Sequence, residues 1–398
     1  MKYVVIGNGV AGTTAAANIR KIDSQAKITI ISDEPYPYYS RIRLMEFLAG
    51  DVDEKDLIIR KNQWYEDNMI DLFLNTPISE IDTAQKEVIT SSGDRIIYDR
   101  LLLATGANSL VPPIPGADKK GVFTLRTLKD AIAIRDYAKL TGHRVLLIGG
   151  GVLGLEAGNG LRKAGNSITV VEFFPRLLPR QMDPEGAWIL KRQLEQMGFR
   201  FYLGAKSKEI IGSEQAEGIL LEDGTKIDCD MIIISAGVRH NSSLAQKLGL
   251  KIEKGLVVND LMETGMPDIY AAGDLIQHNG ICYGIWPAAE KQGEIAGINM
   301  AGGNAIYTGT IISNTLKVAG IDLMAAGDID AEGKKESIIS QDKDNFTYKK
   351  LVIQDNVIVG AILYGDVKDR KKILKAIENR TDISLLKKEL GQWNLEKL

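Results

Sequence analysis

Two glycine-rich turns of one design stand at Gly7 and Gly149, and their residue types are those that hold a pyrophosphate. The first reads Val4-Val5-Ile6-Gly7-Asn8-Gly9-Val10-Ala11-Gly12, the second Val145-Leu146-Leu147-Ile148-Gly149-Gly150-Gly151-Val152-Leu153-Gly154. Each follows an apolar run of strand length and opens a helix-like stretch. The first glycine permits the tight turn, the second lets backbone approach the pyrophosphate, and the third lets the helix lie close to the sheet. Helix N-terminal amides then meet the phosphate charge. An acid follows each turn at the end of the next strand: Asp33-Glu34 after residues 27–31, and Glu172 after residues 167–171. A carboxylate there accepts hydrogen bonds from a ribose diol and repels a 2′-phosphate, so the second site is expected to prefer NADH to NADPH. Arg176, four residues later, weakens that preference if it turns inward and leaves it intact as a solvated side chain. Two redox dinucleotides in one chain imply electron movement between them.

The elements that must position these residues alternate strand and helix, as in doubly wound α/β domains. Residues 1–110 form a first unit that closes with the strand at 100–106. A Pro-rich stretch, 111–116, reads as a linker. Residues 111–240 form a second unit closing with the apolar run at 231–237. Residues 241–305 carry no new fingerprint, and their strand at 268–274 needs an apolar sheet to join, for which the first unit is the candidate. Residues 306–398 read as a small α+β domain, with a hairpin over Gln354-Asp355-Asn356 and helical segments near 368–379 and 383–391. The fold class is therefore α/β, two Rossmann-like dinucleotide-binding domains plus a C-terminal α+β domain.

Composition excludes several other chemistries. The 398 residues are 44% apolar and 25% charged with net charge −3, which gives no reason to expect nucleic acid. No run of about 18 apolar residues is present to span a bilayer, and the N-terminus lacks the features of a signal peptide. A cytoplasmic protein with no membrane contact is expected. The two cysteines, Cys229 and Cys282, are too far apart in sequence for a C-x-x-C or C-x-x-x-x-C pair, which removes a thiol–disulfide relay. Cys229 reads as structural; Cys282 precedes a segment expected to face a cofactor. Three histidines make a metal site improbable.

The two turns, Ala104-Thr105-Gly106, Ala236-Gly237 and the stretch from Thr264 through Tyr270-Ala271-Ala272-Gly273-Asp274 together resemble the two-dinucleotide flavoproteins of the pyridine nucleotide-disulfide oxidoreductase superfamily. The resemblance covers essentially the whole chain. Residues 35–41 are similar to the P-Y-x-R stretch of ferredoxin-reductase-like members. Residues 41–46 and the compact C-terminal domain resemble NADH:rubredoxin oxidoreductases and the flavin part of assimilatory nitrite reductases. This implies FAD at the first site, its pyrophosphate held by Gly7, Gly9 and Gly12, with Asn8, Val10 and Ala11 in the same FAD-binding turn. Asp33 would serve the adenosine ribose, with Glu34 beside it in the FAD-binding set, Arg41 the phosphates, and Ile78 the adenine through its backbone. Ala104, Thr105 and Gly106 would line the flavin, while Gly273 and Asp274 would reach the ribityl chain. Trp286-Pro287 would open a helix whose positive N-terminus faces the flavin pyrimidine edge. For NADH the implied set is Gly149, Gly151, Val152, Leu153, Gly154, Glu172 and Gly237. The tyrosines at 36, 38 and 39 are read equally as cofactor wall or as packing.

One departure stands out. Ferredoxin-reductase-like members usually place a lysine where this chain has Glu46, paired near flavin N5 with the glutamate matching Glu156. Two facing glutamates would raise one pKa or repel. Arg43, one helical turn earlier, is the candidate for the missing cation, and Arg43, Glu46 and Glu156 form the implied catalytic set. The implied function is hydride transfer from NADH to FAD, then single electrons to a small acidic carrier protein, rubredoxin first and ferredoxin next, by a monomer or homodimer. The basic stretch 368–375 would steer such a carrier, or else is a solvated helix face. The competing readings are an NADH oxidase, which in this superfamily relies on a redox cysteine near Arg43, a nitrite-reductase-type flavin subunit, and an NADH-responsive interaction protein resembling apoptosis-inducing factor.

Overall fold

The computed structural model describes residues 1–141 and 144–398, which divide into two compact units. The first comprises Met1–Arg41, Glu54–Asn108 and Val238–Thr310. Its centre is a five-stranded parallel sheet in the order Ile269–Ala271, Arg100–Leu103, Lys2–Ile6, Lys27–Ile31, Ile70–Phe73. The strand at 269–271 thus joins the first sheet, as its apolar composition required. Val4, Val5, Ile28, Ile30, Leu101 and Leu102 are all buried, each such side chain contributing about 1.5–3 kcal/mol through area removed from water. Strands buried on both faces read as continuous apolar runs, which is why they were visible in the sequence.

Helix Val10–Ile22 covers one face of this sheet and packs against helix Trp286–Met300. The contact is close because Gly293 and Gly297 lie over Ala11 and Ala15, where a Cβ on either glycine would meet backbone. A separate three-stranded antiparallel sheet, Ile78–Asp82, Glu87–Thr90 and Arg95–Ile97, belongs to the same unit.

The second unit comprises Ile42–Asp53, Ser109–Gly237 and Ile311–Leu398. Its parallel sheet runs Phe199–Leu203, Ser167–Glu172, Arg144–Ile148, Met231–Ile234, Val122–Thr124. The order repeats that of the first sheet, except that the outermost strand comes from before the glycine turn rather than from far beyond it. In both sheets the turn opens where strand order reverses about the first strand, the place where such folds bind ligands. The C-terminal part forms a five-stranded antiparallel sheet, Ser313–Val318, Ile321–Gly327, Val357–Tyr364, Thr347–Gln354, Glu336–Asp342, backed by helices Arg370–Glu378 and Lys387–Gly391. The hairpin over residues 354–356 is present.

Residues 42–53, read from sequence as part of the first unit, have their contacts in the second. Helix Leu44–Ala49 buries Leu44, Met45, Phe47 and Leu48. The Arg135 guanidinium lies over the Phe47 ring at 3.8 Å, and a Cβ at Gly160 would stand 2.9 Å from the Met45 carbonyl oxygen. The apolar face of that short helix carries no sequence mark of its partner. Among the described residues, no helix is long and apolar enough to cross a membrane.

Candidate dinucleotide sites

At the first turn the three glycines separate by role. Gly7 has φ +118°, and a Cβ there would overlap the Ala104 carbonyl; one at Gly12 would overlap the carbonyl of Gly7. Gly9 is different, with nothing within 4 Å of its Cβ position. Gly7 and Gly12 are therefore required by the protein's own packing, while Gly9 borders open space. Gly9 is also the N-cap of helix Val10–Ile22, without a side-chain cap and with no acid in the first turn. The helix amides are thus left for an external acceptor. Asn8 Oδ1 accepts from the Tyr65 hydroxyl at 2.9 Å, and Asn8 Nδ2 is buried with no partner. Such an orphan donor costs about 1–3 kcal/mol, which an anion at the turn would relieve. These residues fit the diphosphate of a dinucleotide.

Tyr65 was missed by the sequence reading. Its hydroxyl donates to Asn8 and accepts the Tyr38 N–H at 3.1 Å, tying the turn to the tyrosine-rich segment, and a lone aromatic pair at 64–65 gives no hint of this. Of the two acids at the strand end, Asp33 is exposed, whereas Glu34 accepts from the Tyr39 hydroxyl at 2.5 Å and pairs with Arg41. Arg41, expected at the phosphates, is thus anchored to Glu34, the neighbour of the acid expected at the ribose. Ile78 is half-buried at the start of its strand.

Beyond strand Arg100–Leu103 the chain turns through Ala104, Thr105 and Gly106. Thr105 Oγ1 donates to the Asn241 carbonyl at 2.8 Å, and the Gly106 carbonyl accepts the Asn241 N–H at 2.9 Å. Gly273 has φ +84° and donates its N–H to buried Gln292 at 2.9 Å, while the Asp274 carbonyl bonds the His240 ring. Helix Trp286–Met300 begins as expected, with proline in its first turn and no side-chain cap. Tyr38 lies against Trp286 at 6.0 Å between ring centroids, and its buried hydroxyl has no partner. Burial, followed by the charge of Glu290, raises the Tyr38 pKa, so this hydroxyl is a standing donor.

The second turn repeats the first. Gly149 has φ +115°, with Ser235 C 2.9 Å from its Cβ position. A Cβ at Gly154 would lie 2.6 Å from the Gly149 carbonyl oxygen, and Gly151 faces open space. Helix Val152–Lys163 starts at Gly151, again without a side-chain cap. Val152 and Leu153 open that helix, Leu153 exposed. Gly237 has φ +110° and accepts the Leu110 N–H at 2.9 Å. Glu172 is buried, one oxygen accepting the Gly150 N–H at 2.5 Å and the other the Phe174 N–H at 2.7 Å. It shapes the turn, a duty the sequence reading did not give it, and its remaining lone pairs are what a ribose could use.

Arg43 Nε lies 2.9 Å from Glu46 Oε2, so the cation expected to replace the lysine is paired with Glu46, whereas the lysine would pair with the glutamate matching Glu156. Glu156, on helix Val152–Lys163, keeps other company: burial raises its pKa, opposed by N–H groups of Gly320 and Ala319 and by the charges of Lys163 and Lys317. Cys229 is buried, its thiol pushed up to about 12 chiefly by burial, which suits the structural reading; Cys282 is half-buried and also raised by burial.

Residues 1–293 match the model of the family described as pyridine nucleotide-disulphide oxidoreductase. The chain belongs to this family. Its members are FAD- and NAD(H)-dependent oxidoreductases. Residues 313–381 match the rubredoxin NAD+ reductase C-terminal domain. A nitrite reductase [NAD(P)H] of Bacillus subtilis (strain 168) is 38% identical over 96% of this chain, which spans 48% of that relative. The chain thus covers about half the length of that protein. The NADH-rubredoxin oxidoreductase of Clostridium acetobutylicum is 34% identical over 95% of this chain and 94% of its own. The crystal structure of NADH:rubredoxin oxidoreductase from Clostridium acetobutylicum is similar with a TM-score of 0.84 at 32% identity, covering 99% of each chain.

Proposed function

We propose that this chain takes a hydride from NADH and passes single electrons to a small iron–sulfur carrier such as rubredoxin. The observation that carries the reading is the presence, in one chain, of two turns with an open middle glycine and a C-terminal sheet matching the rubredoxin NAD+ reductase domain. FAD, when bound, accepts a hydride as an electron pair and releases electrons one at a time. The protein's part is to bind, orient and set charge. In this reading residues 1–110 and 241–305 hold FAD, residues 111–240 hold NADH, and residues 306–398 form the C-terminal domain. Gly7 through Gly12 grip the first diphosphate, Gly149 through Gly154 the second, and Glu172 fixes the second turn. The amides at the start of helix Trp286–Met300 offer positive potential to a group that gains negative charge. Arg43, Glu46 and Glu156 are the proposed catalytic set, with Glu156 a carboxyl that holds its proton to higher pH than an ordinary glutamate. The proposed setting is the cytoplasm.

A second reading has its own support. The greater identity to a nitrite reductase twice as long favours an electron-entry module that serves a further redox centre. NADH turnover measured with rubredoxin, with a nitrite-reducing partner and with oxygen alone separates the readings. Fast turnover with rubredoxin is expected, and equal rates in its absence would overturn the proposal.

A further inference from the structure

The loop after Glu172 is folded back onto the second glycine turn. The Leu178 N–H donates to the Gly150 carbonyl at 3.2 Å, and the Leu177 side chain lies 2.7 Å from the Cβ position of Gly150. Arg176 sits in this loop, in the sequence neighbourhood from which an arginine accommodates a 2′-phosphate in dinucleotide folds that take NADP. Its side chain is 19% exposed, its Nη2 lies 3.3 Å from Glu332 Oε1, and its buried Nε has no partner.

The turn that presents Glu332 is held firmly, although Glu332 itself is exposed. Asp330 accepts the N–H groups of Lys334 at 2.8 Å and Lys335 at 2.9 Å, and its carbonyl takes the Gly333 N–H at 3.0 Å. The buried Lys350 ammonium donates to that same carbonyl at 3.0 Å and pairs with Asp183 at 3.0 Å. Asp183 in turn caps helix Pro184–Gln196 through the Gly186 N–H and accepts from the Tyr348 hydroxyl at 2.7 Å. A buried chain of polar contacts therefore runs from that helix to the turn bearing Glu332 and holds the backbone of that turn where the exposed Glu332 side chain reaches Arg176.

We infer that Glu332 is a nucleotide-specificity residue: it occupies the Arg176 guanidinium, so that a 2′-phosphate finds neither a free cation there nor a neutral approach. Discrimination against NADPH then has two sources, Glu172 beside the ribose and Glu332 acting through Arg176. The inference rests on the assignment of the second turn as the NADH site.

The test is calorimetric binding of 5′-AMP and of adenosine 2′,5′-bisphosphate to the flavin-loaded protein. The variants are Glu332→Gln and the double variant Glu332→Gln/Arg176→Gln; the exposed Arg180 in the same loop is kept throughout. Glu332→Gln should tighten the bisphosphate by about three- to tenfold, as expected for releasing one partly exposed guanidinium, with 5′-AMP affinity unchanged. The double variant should lose that gain while still binding 5′-AMP, which shows that it folds. No gain in the single variant overturns the inference, and so does a gain that persists in the double variant, because removal of one negative charge would then suffice. If the parent protein binds neither probe nor NADH, the site assignment itself falls and takes the inference with it.

Discussion

Gly293→Ala and Gly9→Ala add the same methyl group to two glycines of the first unit, and their consequences should be opposite in kind. At Gly293 the new Cβ would stand 2.9 Å from Ala11 Cα and nearer still to its carbonyl, where ordinary contact begins at 3.4 Å. The atoms met are backbone, so no side chain can swing aside, and the two helices must part by at least about half an ångström. Overpacking of this kind costs about 1–3 kcal/mol. Because Ala11 is the residue before Gly12, the displacement should also loosen the fingerprint. Gly9 has φ −95° and an empty Cβ position, so alanine there strains nothing and changes the stability of the flavin-free protein by no more than about 1 kcal/mol, the usual scale for an N-cap exchange. Its methyl does, however, enter the open space proposed for the diphosphate. Urea unfolding of the flavin-free proteins and flavin titration by fluorescence quenching separate the two effects. Gly293→Ala should lose stability and some flavin affinity, and Gly9→Ala should lose flavin affinity alone. A Gly9→Ala protein that binds FAD like the parent would refute the assignment of the open space, and a fully stable Gly293→Ala protein would refute the close helix contact.

Glu172→Gln keeps one acceptor but loses the charge that takes two backbone N–H groups, so NADH binding and thermal stability should both fall, by about 1–3 kcal/mol in stability; a pure gain in NADPH use with stability unchanged would show that the turn-shaping role is wrong. For Glu156 the folded pKa is raised, so the folded protein binds the proton more tightly than the unfolded chain and stability falls as pH rises through that range. Glu156→Gln should therefore stabilise at neutral pH and lose its advantage at acid pH, and melting curves at several pH values would expose an advantage that instead grows toward acid. Asp274→Ala should weaken FAD retention by about 1.5–3 kcal/mol if its carboxylate serves the ribityl chain, read as flavin released on dilution. Lys368, Lys371, Lys372 and Lys375 share the exposed face at the start of helix Arg370–Glu378, but Lys372 donates to the Leu395 carbonyl at 3.1 Å. The steering test is therefore best made with Lys371→Glu and Lys375→Glu, which should raise the KM for rubredoxin and flatten its salt dependence while leaving flavin reduction by NADH unchanged.

The glycine turns, their strands and the helix opening at Trp286 were legible because their causes are local: apolar runs, small residues at a turn, a proline in a first turn. The contacts that decide side-chain roles were not. Tyr65 reaches Asn8 across 57 positions of sequence, and nothing in either neighbourhood marks the pair. Helix Leu44–Ala49 shows an apolar face but not its partner, so the sequence does not reveal that residues 42–53 make their contacts in the second unit. Glu172 was recognised by its place at a strand end, yet its bond to Gly150 depends on how the turn folds back. The place of Arg176 in the sequence shows that its direction matters, but not that its guanidinium meets Glu332, 156 residues away, and the Pro179 carbonyl. Local chemistry is written in neighbouring residues, whereas the choice among several polar partners is made by the packed fold.

That difference also explains why two turns of the same design need not treat their ligands alike. At the second turn the carboxylate of Glu172 takes the Gly150 N–H and the Gly150 carbonyl takes the Leu178 N–H, so the loop satisfies its own polar groups before any nucleotide arrives. Such a site is shaped in advance, and binding or release leaves little unsatisfied. The first turn has no comparable closure. Asn8 Nδ2 and the Tyr38 hydroxyl are buried without partners, and each carries a desolvation cost of about 1–3 kcal/mol until something accepts from it. A ligand at the first turn that accepts from these groups would remove that cost, adding to the stabilisation that any ligand of the folded protein gives. The contrast supports the proposed assignment, with the dinucleotide retained through many turnovers at the first turn and the one that arrives, gives up a hydride and leaves at the second.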